Sequence, residues 1–127
     1  MFKFELEDLV DVKSVTIVKK NGAVVITHSI INEETVELLL SLGVDINAQD
    51  NEGLTPLHLA VTKGNLEMVK YLVSKGADIN ILDEINNLPI DYAIDEKDEK
   101  IIRYFLTIQG VDEVRKAKIN LILNKGE

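Results

Sequence analysis

The chain has 127 residues, the length of one domain, with 46% hydrophobic and 28% charged residues and a formal net charge of −8. Cysteine is absent, which excludes disulfides, thiolate metal sites and a cysteine nucleophile. So large an excess of acid argues against holding a phosphate backbone over an extended surface, and nucleic acid is not an expected partner.

The amino-terminal stretch, Met1 to Lys13, carries acids where a secretory signal needs a basic stretch and then an apolar run. No apolar run approaches the roughly 18–20 residues that span a bilayer. A soluble, cytoplasmic protein without membrane association is expected, with export as an effector left open. Aromatic residues make up 5% and tryptophan is absent, so the core must be mostly aliphatic.

Residues 1–16 contain a phrase, Val10-Asp11-Val12, that recurs along the chain. Gly43-Val44-Asp45-Ile46, Gly76-Ala77-Asp78-Ile79 and Gly110-Val111-Asp112 repeat it at nearly constant spacing. A period of about 33 residues signals stacked supersecondary units. The division that follows is 1–16 as an amino-terminal cap or half unit, 17–49, 50–82 and 83–111 as units, and 112–127 as a carboxy-terminal capping helix.

In the unit 17–49, Glu33 to Leu40 reads as a helix, and Gly22-Ala23-Val24-Val25 stands where a first helix is expected; His28 falls in that same helix. The unit 50–82 is the clearest. Thr55 is a good N-cap, Pro56 fits the first helical position, and Gly64 ends a short helix. Leu66, Met68, Val69, Leu72 and Val73 mark a second helix with one apolar face, ended by Gly76. Ala77 to Leu88 is a turn-rich connector. The unit 83–111 keeps a proline, Pro89, and an alanine, Ala93, but Leu88 and Asp91 replace threonine and histidine; Asp98 opens its second helix, which runs through Ile101, Ile102, Tyr104 and Phe105. Residues 112–124 form a closing helix in which Val114, Lys118, Leu121 and Ile122 mix apolar and basic positions. A helix pair of this kind cannot bury its apolar face alone, so the units must stack.

The stretch Asp50 to Asn80, DNEGLTPLHLAVTKGNLEMVKYLVSKGADIN, with its Gly-x-Thr-Pro-Leu-His-x-Ala core and Gly-Ala-Asp-x-Asn ending, resembles an ankyrin repeat nearly residue for residue. The resemblance extends over 83–111 and more weakly over 17–49. It implies an all-α solenoid of helix-turn-helix units with β-hairpin tips, about three repeats plus diverged end caps. It also implies that His58 is a fastener whose ring ties backbone near Thr55 to the neighbouring hairpin. A neutral imidazole has one donor and one acceptor, which suits that task. Thr55, Pro56, His58, Gly64 and Gly76 are thus expected to be structural.

No catalytic, cofactor-binding or metal-binding residue is expected. No base or nucleophile stands at a sensible spacing from either histidine. Asp91, Asp95, Glu96, Asp98 and Glu99 form an acidic run that reads as solvated surface or a patch for a partner, without the alternating pattern of a calcium loop. There is no phosphate-binding glycine loop and no Gly-x-Ser-x-Gly elbow. The resemblance implies a non-enzymatic, monomeric module that binds a protein partner through its concave face and hairpin tips, as an adaptor or inhibitor. The positions carried over are Gln49, Asn51, Glu52 and Leu54, then Leu82, Glu84, Ile85 and Asn87 on the tips, with Thr62, Lys63, Asp95 and Glu96 on the first helices. The charge favours a basic partner. The alternatives are an immunity-type inhibitor of a basic toxin or enzyme, a self-associating structural module, and an enzyme.

Overall fold

The computed structural model describes residues 17–20, 23–26, 33–108 and 110–124. Ile17–Lys20 and Ala23–Ile26 are antiparallel strands β1 and β2, with Ile17 opposite Ile26 and Lys20 opposite Ala23. This corrects the first helix expected over Gly22-Ala23-Val24-Val25. Ile17, Val18, Val24, Val25 and Ile26 are β-branched and favour a pleated strand. Between the paired ends stand Asn21 and Gly22, the dipeptide most favoured in a two-residue hairpin connection. No proline preceded by a capping hydroxyl is present there to start a helix. His28, the proposed cap 1–16 and residues 125–127 lie outside the described residues.

The helices are α1 (Glu33–Ser41), α2 (Pro56–Thr62), α3 (Leu66–Ser74), α4 (Pro89–Glu96), α5 (Glu99–Leu106) and α6 (Glu113–Leu123). They have 7 to 11 residues each, too short to be stable in isolation. Their starts are therefore fixed by side chains. Thr55 Oγ1 accepts the amide of His58, Asn65 Oδ1 that of Met68, Asp98 Oδ1 that of Ile101 and Asp112 Oδ1 that of Arg115. Each such cap contributes about 1 kcal/mol.

Helix α2 packs on α3 and α4, α4 on α5 and α6, and α3 on α5. One row thus holds α2, α4 and α6, and a second holds α3 and α5. Helix α1 joins the second row where the Tyr71 hydroxyl donates to Glu37 and Lys75 reaches the same carboxylate at 3.1 Å. Between the rows runs a mostly aliphatic core, from Val36 through Leu57, Val61, Val69 and Leu72 to Ile101, Ile102, Phe105 and Ile119. Fully burying such a side chain contributes about 1.5–3 kcal/mol. Helix α6 takes the place of a first helix, because the backbone passes from Val111 and Asp112 directly into it. It fastens there through Ile119, which is fully buried.

Candidate functional site

The two connectors between described units, around 50–54 and 83–87, are built by one device, repeated at equivalent positions of successive units. Asp50 Oδ1 accepts the amides of Glu52 and Leu54 at 2.8 and 2.9 Å, while the Asp50 amide donates to Leu54 O at 3.0 Å. Asp83 Oδ1 accepts the amides of Ile85 and Asn87 at 3.0 and 2.9 Å, while the Asp83 amide donates to Asn87 O at 2.9 Å. Each aspartate closes a tight hairpin tip by bonding its own backbone, the habit that makes this residue a turn former. Gly53 and Asn86 occupy equivalent places with φ of 78° and 64°.

The tips stack on each other. The Glu84 amide donates to Glu52 O at 2.9 Å, and Gln49 Nε2 bridges to Gly53 O and Leu82 O, both at 2.9 Å. The approach is so close that a Cβ on Gly53 would lie 2.7 Å from the Glu84 nitrogen, so this position requires glycine.

Beneath the tips lies a buried polar seam. His58 Nδ1 accepts the Thr55 amide at 3.0 Å, and Nε2 donates to Asn87 O at 2.9 Å across the junction. With one nitrogen accepting and the other donating to a carbonyl, the ring is the neutral Nε2–H form. Burial holds its pKa below the ordinary histidine value, against the opposing pull of Asn87 O and of the Asp83, Asp50 and Asp91 carboxylates. The Tyr92 ring meets that of His58 edge-on at 6.0 Å and donates its hydroxyl to Asp83 Oδ2. Burial pushes the Asp83 carboxyl up, but the Tyr92 hydroxyl and the amides of Asn87 and Ile85 outweigh it, and the net shift is downward.

The next junction uses different chemistry. Asp91 holds the place in its unit that His58 holds in the unit before. Its Oδ2 accepts the Leu88 amide at 2.8 Å, which caps α4 as the imidazole caps α2. Across the junction both Asp91 oxygens receive the Arg115 guanidinium at 2.7 Å, and Arg115 also binds Asp112 Oδ2 at 2.6 Å. Asp91 is therefore not part of a solvated acidic run. The Asp91 and Arg115 side chains are only 13% and 21% exposed, and the paired geometry is the strong, bidentate kind. Asp98 likewise is a cap, which leaves Asp95, Glu96 and Glu99 as the exposed members of the run.

Of the carried-over positions, Asn51, Glu52, Thr62, Lys63, Leu82, Glu84, Ile85, Asp95 and Glu96 are exposed, whereas Gln49, Leu54 and Asn87 are half-buried within the tip framework. Leu82 and Ile85 are 49% and 69% exposed, high values for large apolar side chains. Thr62 turns its hydroxyl back to His58 O at 2.8 Å. Gly64 and Gly76 sit just past α2 and α3 with φ of 68° and 96°. The pairing of Asp91 with Arg115 escaped the sequence reading. Its signal is the loss of histidine at the equivalent position together with an arginine at the start of the next helix.

A family model described as ankyrin repeats in 3 copies matches residues 25–117, well over half of the chain. The chain belongs to the ankyrin-repeat family. Ankyrin repeats as a family are protein–protein interaction modules. An ankyrin repeat protein of fowlpox virus (strain NVSL), FPV219, is 66% identical over 32 residues, which is 25% of this chain and 7% of that protein. Rabankyrin-5 of Homo sapiens and of Mus musculus are each 57% identical over 30 residues, 24% of this chain and 3% of theirs. The matched stretch is about one repeat, and the chain covers only a small share of these relatives' lengths. Among the described residues of this ankyrin-repeat protein, no helix is long and apolar enough to cross a membrane.

Proposed function

We propose that this chain is a small adaptor or inhibitor that recognises a protein partner through the hairpin tips and the exposed side of its first helices. One observation supports this most. The buried seam and the caps hold the backbone of the tips, so the side chains of Asn51, Glu52, Leu82, Glu84 and Ile85 carry no task in the fold and are exposed together. Rigid tips with spare side chains lose little entropy on binding, which favours affinity. Glu52, Glu84, Asp95 and Glu96 give this side an acidic character, and a basic partner neutralises it. An immunity-type inhibitor of a basic enzyme is one form of the same reading.

The test places a photo-crosslinkable residue at Glu84 or Glu96, and in parallel at Lys100 or Arg103 on α5. A protein partner captured from the first pair and not from the second is expected. Capture confined to the α5 positions would overturn the reading.

A further inference from the structure

The junction between the two tips defines what a tip offers to its successor. Gln49 ties to Leu82 O, and Glu52 O accepts the Glu84 amide. Moving each group one unit along gives Leu82 in place of Gln49 and Ile85 in place of Glu52. No tip follows, because the equivalent stretch is α6, which starts at Glu113. The side of the tip 82–87 that would meet a successor therefore ends the ladder. At this edge a polar bridging residue and a carboxylate have both become aliphatic, and both aliphatic side chains stand in water. Among the described residues no group donates to Ile85 O, the counterpart of Glu52 O.

We infer that this outer edge is a docking edge, and that its occupant is an extended or turn segment of a partner protein with an apolar residue beside Lys or Arg. The inference rests on the interaction-module reading above and names the partner's chemistry. The occupant continues the stack: its amide bonds Ile85 O as the Glu84 amide bonds Glu52 O, and its apolar side chain covers Leu82 and Ile85. Backbone pairing of this kind gives affinity while side-chain pockets give specificity. The basic neighbour follows from Glu52 and Glu84, two exposed carboxylates on stacked tips, neither in an ion pair among the described residues. A second copy of this chain is the poorer occupant, because docking two such edges brings Glu84 against its own copy, and facing like charges disfavour that pairing.

The experiment selects binders for the full chain from a displayed library of random peptides. Affinities of the selected peptides are then measured against the Leu82→Gln, Ile85→Glu double variant and against Asp95→Lys, Glu96→Lys. The first variant restores the residues of the preceding tip, so an unchanged melting curve is expected. Peptides that share an apolar residue flanked by Lys or Arg should bind the tip variant about tenfold or more weakly, the scale set by losing two buried aliphatic contacts. Their binding to the helix variant should be less affected. Binders lacking basic residues but sensitive to the tip variant would overturn the partner chemistry and leave the site. Binders sensitive only to the helix variant would overturn the edge and leave the interaction reading. A library yielding no binder would count against both, and a dimer in sedimentation that the tip variant dissolves would assign the edge to a second copy.

Discussion

At the scale of single residues, His58 joins two units with one ring. Its Nδ1 serves the start of α2 and its Nε2 serves Asn87 O in the next connector. His58→Ala takes the acceptor from the buried Thr55 amide and one of two donors from Asn87 O, and is expected to destabilise the fold by about 1–3 kcal/mol, measured as a lower urea midpoint. The ring's protonation adds a pH dependence whose sign follows from its depressed pKa. A proton on Nδ1 abolishes the acceptor for the Thr55 amide, so the folded state binds protons less readily than the unfolded chain. The stability conferred by the neutral ring is complete above the ordinary histidine value, about 6.5, and declines as pH falls through it. Urea midpoints should therefore fall between pH 7.5 and 5.5, and His58→Gln, which cannot titrate, should flatten the decline. His28 remains in both proteins, so its own titration does not enter the difference. Asp83 acts in a separate window: its depressed pKa confers stability above the ordinary carboxylate value that is lost only in stronger acid.

At the scale of elements, the tips and the last helix are held by quite different means. Gly53→Ala forces a Cβ against the Glu84 backbone in addition to straining a positive φ, whereas Gly76→Ala meets no atom within 4 Å and carries the strain alone. Calorimetry should show a loss of about 1–2 kcal/mol for Gly76→Ala and a clearly larger one for Gly53→Ala. For α6, Arg115→Ala leaves the Asp91 carboxylate half-buried without its partner. A loss of about 1–3 kcal/mol is expected, and a double-mutant cycle with Asp91→Asn should return a coupling energy of similar size. These two junctions also show what the sequence discloses. The tie at His58 is legible through the family resemblance, because threonine, proline and histidine stand at the offsets of the repeat motif. The tie at Asp91 is not, because its partner stands on a distant helix and a carboxylate in an acidic run looks like solvated surface. The strands Ile17–Lys20 and Ala23–Ile26 depart from the expected helix for the opposite reason. The repeat spacing predicts a helix over residues whose local chemistry, β-branched runs around Asn21-Gly22, favours a hairpin. Which exposed side chains meet a partner is not written in local pattern at all, since exposure leaves them free of packing constraints.

At the scale of the whole molecule, stability is a sum over neighbouring units, because among the described helices each unit packs on the next, α2 on α4, α3 on α5 and α4 on α6. Removing residues 111–127 deletes α6 and uncovers the side of α4 and α5 on which Ile119 is buried. The shortened protein should melt at a lower temperature and scatter light on heating; an unchanged melting temperature in a protein that stays monomeric would show that α6 adds nothing to the stack. The same neighbour-only arrangement governs how the chain folds. The side-chain hydrogen bonds that cross between units join positions 24 to 34 apart in sequence, from Asp91 with Arg115 to Glu37 with Tyr71, and among the described residues none reaches further. The entropy of closing a loop grows with its length, and topologies built from near contacts fold quickly. Among the described residues, no such tie between units has to bring distant parts of the chain together. Duplicating residues 50–82 would lengthen the protein without lengthening any loop that folding must close, so the time to fold should change little as units are added.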